Sequence, residues 1–276
     1  MSSKSTPKTW FITGSSRGFG RVWTEAALER GDRVAATARD LSSIQGLAGD
    51  YGDVFLPLAL DVTDREAVFE AVASANHHFG HLDVVVNNAG YGLFGLVEEI
   101  SETQARAQID TNLFGALWVT QAVLPIMREQ QGGHILQVSS IGGIAAFPTL
   151  ALYNASKWAL EAMSEALAQE VAGFGIRVTI IEPGPYETDW SGSSAVNADP
   201  IDAYEQVREA RRATSATRVP GNPAATAAAI LTIVDAEQPP LRLFLGTFPL
   251  SAAERVYNER LETWRAWREL SDAAQG

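Results

Sequence analysis

Seven short apolar runs punctuate the chain, at residues 9–13 (TWFIT), 33–38 (RVAATA), 54–60, 83–87 (DVVVN), 134–139 (HILQVS), 177–182 (RVTIIE) and 241–245. They are rich in Val, Ile, Leu and Phe and alternate little, as strands covered on both faces do. Longer stretches with helical spacing lie between them, at 19–30, 64–78, 101–130, 151–172 and 223–236. This repetition predicts an α/β fold, a doubly wound parallel sheet of about seven strands with helices on both faces and right-handed crossovers. Helix punctuation agrees. Asn222 is placed to cap a helix with Pro223 in its first turn, and Thr63 with Glu66 three residues on has the capping-box pattern.

Two segments leave this rhythm. Residues 183–198 read as a loop that runs into a short helix at 201–212, and residues 250–270 read as an appended helix with Leu261, Trp264, Trp267 and Leu270 near one face. With no linker or repeat in view, the expectation is a single domain over 1–276. Its core spans about 9–246, its substrate-loop region about 185–218, and its C-terminal extension about 250–270. The 276 residues, 46% of them hydrophobic, suffice for a sizeable core. A net charge of -12 argues against nucleic-acid or anionic-membrane partners. The chain has no cysteine, so disulfides and thiolate chemistry are excluded. Residues 1–8 are polar and no run is long enough to span a bilayer, so the expected location is the cytoplasm.

Three motifs carry chemistry. The first, TGSSRGFG at residues 13–20, follows a strand and opens a helix. Gly14, Gly18 and Gly20 let the backbone turn tightly and approach a pyrophosphate, and the helix N-terminus presents free N–H groups. Ser16 and Phe19 lie in the same turn. The spacing is G-x-x-x-G-x-G rather than the usual dinucleotide fingerprint G-x-G-x-x-G. The second is the end of the second strand, Thr37-Ala38-Arg39. Ala38 cannot accept a hydrogen bond from a ribose hydroxyl through its side chain, whereas Arg39 and Arg17 suit a 2′-phosphate, which favours NADP(H) over NAD(H). Asp40 complicates this, since it would neutralise Arg39 or compete for the ribose. The third is Tyr153-Asn154-Ala155-Ser156-Lys157. Residues four apart share a helix face, and an ammonium beside the phenol would lower its pKa toward use as an acid/base group.

Together these residues resemble the short-chain dehydrogenase/reductase family, in its single-domain branch with a Rossmann-type fold. The likeness covers roughly residues 9–246. Further matches fall in the family's order: Asp61-Val62 after the third strand, Asn87-Asn88-Ala89-Gly90 at the end of the fourth, Asn112 in Asp110-Thr111-Asn112-Leu113, and Ser140 thirteen residues before Tyr153. Pro183-Gly184 after the sixth strand and Thr188 complete the set.

The resemblance implies an NADP(H)-dependent oxidoreductase interconverting a carbonyl and an alcohol. Tyr153 would be the acid/base, Ser140 would bind the substrate oxygen, and Lys157 would hold the nicotinamide ribose. Asn112 would hold a relay water, and no step needs a metal. Gly14, Ser16, Arg17, Gly18, Phe19, Gly20, Arg39, Asp61, Val62, Asn88, Ala89, Gly90, Pro183, Gly184 and Thr188 would bind the cofactor, together with Tyr153 and Lys157. The pocket would draw on Tyr91, Leu93, Phe94, Ile141, Ile144, Phe147, Tyr186 and Trp190, which suits a small, mostly apolar substrate. Arg208, Arg211 and Arg212 read as a solvated helix face, with an anionic substrate as the other reading. His77, His78 and His81 read as surface residues rather than metal ligands, and His134 has no evident partner. Two other functions stay open: a 3-oxoacyl-thioester reductase and a non-catalytic NADP(H) sensor. The expected partners are a small carbonyl or alcohol and further copies of the chain, as a homodimer or homotetramer.

Overall fold

The computed structural model describes residues 6–276. Most of the polar start at 1–8 therefore lies outside the described residues. A parallel seven-stranded sheet forms from β1 (Thr9–Ile12), β2 (Arg33–Ala38), β3 (Phe55–Ala59), β4 (Val84–Asn87), β6 (Gly133–Val138), β7 (Ile176–Pro183) and β9 (Arg242–Leu245). Its order is β3-β2-β1-β4-β6-β7-β9. Two short strands, β5 (Leu93–Phe94) and β8 (Val196–Asn197), pair apart from it.

Strand β1 shows why the apolar runs do not alternate. Trp10 and Ile12 point into one core and Phe11 into the other, and all three are fully buried. The first core packs under α1 (Gly18–Arg30), α2 (Ser42–Tyr51) and α8 (Thr226–Asp235). The second packs under α3 (Arg65–Phe79), α5 (Gly115–Gln130) and α6 (Ala151–Val171). Successive strand side chains point to opposite faces, so a sheet covered twice needs apolar residues at every position.

The elements follow the sequence closely, with differences in the helices and their ends and in the additional short strands β5 and β8. Asp64, not Thr63, caps α3, accepting from the Ala67 N–H at 3.1 Å, while the Thr63 hydroxyl donates to Asp61. The expected helix at 101–130 divides into α4 (Glu102–Ile109), a π-turn (Asp110–Phe114) and α5. Helix α2 is an addition to the expected set. The segment read as a short helix at 201–212 becomes a 3-10 turn and then α7 (Glu205–Ala216), which runs four residues further. Asn222 caps as expected, accepting from the Ala224 N–H at 2.9 Å.

The chain ends in α9 (Phe248–Ala266) and α10 (Arg268–Ala273). Ala252 and Ala253 in α9 pack against Ile141, Ile144, Phe147 and Phe244. Beyond them Tyr257, Leu261, Trp264, Trp267 and Leu270 are exposed. Among the described residues, no helix is long and apolar enough to cross a membrane.

Candidate active site

In this strand order the connections reverse direction between β1 and β4, and a crevice opens there at the C-terminal ends of the strands. It holds a cavity of about 1730 Å³. One small-ligand pocket fills roughly 300–1,000 Å³, so there is room for a dinucleotide and a second molecule. The glycine loop, the strand ends, Ser140, Tyr153, Lys157 and α7 all line it.

The glycine loop is shaped by close approach. Gly14 and Gly18 hold φ of +68° and +56°, which a side chain rarely adopts. A Cβ on Gly20 would lie 2.3 Å from the Gly14 carbonyl oxygen. Asn88 fixes the loop from the next strand end. Its Nδ2 donates to the Thr13 and Gly14 carbonyls at 2.9 and 3.0 Å, and the Asn88 and Ala89 N–H groups both donate to the Thr13 hydroxyl. Arg17 precedes α1 without a side-chain cap, which leaves N–H groups of the first turn for a ligand in the crevice. A Cβ on Gly18 would meet only Thr188, at 3.8 Å. A tight turn, free N–H groups and open space beside them fit a pyrophosphate. On the far wall, Gly184 N–H donates to the Leu245 carbonyl and so holds the turn after β7.

The residues at the end of β2 sort unequally. Asp40 turns away from Arg39 and accepts from the Ser42 N–H and hydroxyl at 3.0 and 2.7 Å. Those bonds hold its carboxyl below the usual range. Among the described residues Arg39 has no ion-pair partner and lines the cavity. Arg17 instead reaches across the crevice to the Ser193 hydroxyl at 3.0 Å and Asp189 at 4.0 Å. Asp61 accepts from Thr63, and Val62 packs where a Cβ on Gly115 would lie 2.6 Å away.

Ser140, Tyr153 and Lys157 converge at the end of β6. The Ser140 hydroxyl accepts from the Gly142 N–H at 3.0 Å. Gly142 is wedged between the two hydroxyl-bearing residues, and a Cβ there would lie 3.1 Å from the Tyr153 ring and 3.4 Å from the Ser140 oxygen. Burial pushes the Tyr153 phenol up to about 12, opposed by a hydrogen bond with Ser140. Burial likewise pushes Lys157 down to about 8, with Glu161 opposing. This corrects the sequence expectation, in which the ammonium lowers the phenol. Lys157 Nζ donates to the Val138 carbonyl at 2.7 Å, and desolvation governs Tyr153. Asn112 sits in the π-turn, a feature common at functional sites. Its side chain clamps Tyr91, accepting from the N–H at 3.1 Å and donating to the carbonyl at 3.0 Å, and it donates to Ser156 at 3.2 Å. Both Nδ2 hydrogens and one lone pair of Oδ1 are thus engaged in positioning backbone and Ser156, which leaves the Asn112 side chain only an acceptor site for a relay water.

Sequence reasoning missed a buried carboxyl pair behind this site. Glu161 and Glu182 lie against Arg242, at 3.2 and 3.4 Å from its Nε. Burial and the Glu161 charge raise Glu182 to about 8. Glu161 is also raised, chiefly by burial. It falls one helical turn beyond Lys157, a spacing that the sequence displayed without revealing its partner.

The pocket residues separate into walls. Trp190 packs at a tilt against two rings, 4.9 Å from Tyr153 and 5.1 Å from Phe94. Tyr91, Ile141 and Phe147 line the same cavity. Tyr186 lines it on the glycine-loop side, 5.1 Å from the Phe19 ring. Leu93 and Ile144 are corrections: both are buried in packing and neither lines the cavity, because Leu93 is locked in β5 and Ile144 in the core under α9. The histidines disperse. His81 contacts Asp83 at 3.1 Å, and His78 edges onto Phe79. His134 does have a partner, Thr179 at 2.9 Å, and burial pushes it down to about 3.

Residues 8–198 match the short chain dehydrogenase family profile. The chain is 43% identical over 272 residues to Oxidoreductase BOA17 of Botryotinia fuckeliana, covering 97% of this chain and 99% of that protein. A short-chain dehydrogenase from Streptomyces avermitilis superposes with a TM-score of 0.92 at 37% identity, covering 98% of this chain and 99% of that one. A Burkholderia cenocepacia short chain dehydrogenase in complex with NADP has a TM-score of 0.75 at 26% identity, covering 94% and 97%. A 3-ketoacyl-(acyl-carrier-protein) reductase from Brucella melitensis, complexed with NADH, has a TM-score of 0.74 at 26% identity, covering 86% and 96%. By this match and these likenesses, the chain belongs to the short-chain dehydrogenase/reductase family of oxidoreductases.

Proposed function

We propose that the chain is one catalytic domain that reduces a carbonyl, or oxidises the matching alcohol, on a mostly apolar substrate, with NADP(H) as hydride carrier. One observation carries this reading. Ser140, Tyr153 and Lys157 meet in the same cavity as the glycine loop, with the Trp190 ring against Tyr153.

The nicotinamide supplies or takes the hydride. The chain's residues do the rest. The loop at Gly14, Gly18 and Gly20 and the α1 N-terminus hold the pyrophosphate. Asp61 and Val62 flank the adenine end, and Pro183, Gly184 and Thr188 flank the nicotinamide end. Lys157 holds ribose hydroxyls. Ser140 donates to the substrate oxygen as charge develops on it. Tyr153, kept protonated by burial, delivers the proton in reduction.

The uncommitted Arg39 supports NADP(H) over NAD(H), since a guanidinium with no partner suits a 2′-phosphate. With Arg17 turned to Ser193 and Asp189, Arg39 carries this preference alone. A second copy of the chain is the partner in this reading, supported by the apolar face that α9 leaves exposed.

The test is parallel oxidation of NADPH and NADH over a panel of apolar ketones, aldehydes and carrier thioesters. NADPH-dependent turnover of free carbonyls is expected. Activity confined to carrier thioesters would favour the acyl-thioester reading. Bound cofactor with no turnover on any panel member would overturn the enzyme reading.

A further inference from the structure

Four arginines lie on α7 or just beyond it, and they divide into two kinds. Arg208 pairs with Glu99 and, at 2.8 Å, with Glu205. Arg212 pairs with Glu205 at 2.9 Å. Arg211 and Arg218 have no such partner among the described residues. Both line the cavity. Arg211 sits in α7 and Arg218 just past its end, and the cavity brings both to one wall.

Each is held on aromatic rings. The Arg211 guanidinium lies over Phe94 at 4.9 Å. That of Arg218 lies over Phe248 at 4.2 Å and Phe147 at 5.5 Å. Burial holds both below the ordinary arginine range, and the charge of Arg218 adds to the effect on Arg211. Two like charges brought together, half-desolvated and without a carboxylate, lack the compensation such groups normally have. Asp61, Asp110, Glu187 and Asp189 also line the cavity, but none lies within 4.0 Å of either guanidinium.

The position relative to the chemistry is defined by a run of ring contacts. Tyr153 to Trp190, Trp190 to Phe94 and Phe94 to Arg211 are steps of 4.9, 5.1 and 4.9 Å. An apolar wall thus connects the Tyr153 hydroxyl region to a cationic one. The pyrophosphate cradle is a different part of the crevice, formed by Gly14 to Gly20.

We propose that Arg211 and Arg218 form the anion site of the substrate pocket, so that the substrate is an oxo or hydroxy compound with a carboxylate at the far end of an apolar spacer. This rests on the carbonyl-reductase reading for the reaction, but the anion site can be tested without turnover.

Octanoate has an apolar chain and a carboxylate but no reducible carbonyl, and octan-1-ol lacks the charge. Calorimetry on the full chain is expected to show octanoate binding tighter than octan-1-ol. In R211Q/R218Q, octanoate should weaken by roughly tenfold or more, the scale of a lost charge-assisted hydrogen bond, while octan-1-ol is unchanged. In turnover, 8-oxooctanoate should exceed its methyl ester in kcat/KM, chiefly through KM, and R211Q/R218Q should remove the difference. The single variants R211Q and R218Q should each lose part of it. Equal binding of octanoate and octan-1-ol, or equal binding of octanoate by wild type and variant, overturns the anion site. Octanoate binding that depends on both arginines, with no turnover of acid, ester or any carbonyl of the panel, keeps the anion site and overturns the reductase reading.

Discussion

At the scale of single residues, the site depends on glycines placed where a side chain would collide. A Cβ on Gly92 would lie 2.8 Å from the Trp190 ring and 3.0 Å from Phe94. Gly92→Ala should therefore push Trp190 off Tyr153 and raise KM for apolar carbonyls by roughly tenfold, the effect of one lost apolar contact, with cofactor affinity unchanged. Steady-state kinetics with both substrates varied would separate the two. The Glu161–Glu182 pair gives a second prediction. Glu182 is raised from 4.5 to about 8, so the folded state holds a proton that the unfolded chain releases between those values. Where the folded state binds more protons, unfolding free energy falls as pH rises. Wild type should lose stability relative to Glu182→Gln across that window and level off above about 8. Urea midpoints of both proteins between those pH values would show it, and parallel curves would count against a buried proton on Glu182.

At the scale of elements, burial on both sheet faces explains why the strands were legible. Phe11 is fully buried between β1 and the helices of the second core. Phe11→Ala should cost about 3–5 kcal/mol in chemical denaturation, the range for a large core ring replaced by methyl. Helix α2 was not legible because its sequence, SSIQGLAGDY, carries two glycines and buries only Ile44 and Leu47. The break in the 101–130 helix was hidden for the opposite reason. The apolar spacing runs on through the π-turn, and what breaks the register is Asn112 bonding to Tyr91, a contact from outside the helix. The Thr63 cap failed by one position because Asp64 offers a competing acceptor beside it.

At the scale of the whole molecule, most motif residues were legible because they sit at a strand end or near a helix start, where order along the chain maps onto place in the sheet; Asn112, in the π-turn, is the exception. Contacts between loops were not legible. The β5–β8 pairing, the packing of Trp190 on Tyr153, and the sorting of the α7 arginines all join segments distant along the chain or depend on which way a helix faces. The terminal helix belongs to this scale as well. Tyr257, Leu261 and Trp264 leave an apolar face that self-association would cover. Sedimentation should show a dimer or tetramer, and Leu261→Glu with Trp264→Glu should shift it to monomer without loss of fold by circular dichroism.

Delivery of the proton by Tyr153 is tested most directly by single-turnover NADPH oxidation in the Tyr153→Phe variant on the best carbonyl of the panel, with NADPH affinity measured alongside by fluorescence. The expected rate is at least roughly a hundredfold below wild type, the scale of a lost general acid, with affinity within about twofold. A Tyr153→Phe variant that turns over near the wild-type rate would contradict the assignment of the proton to Tyr153.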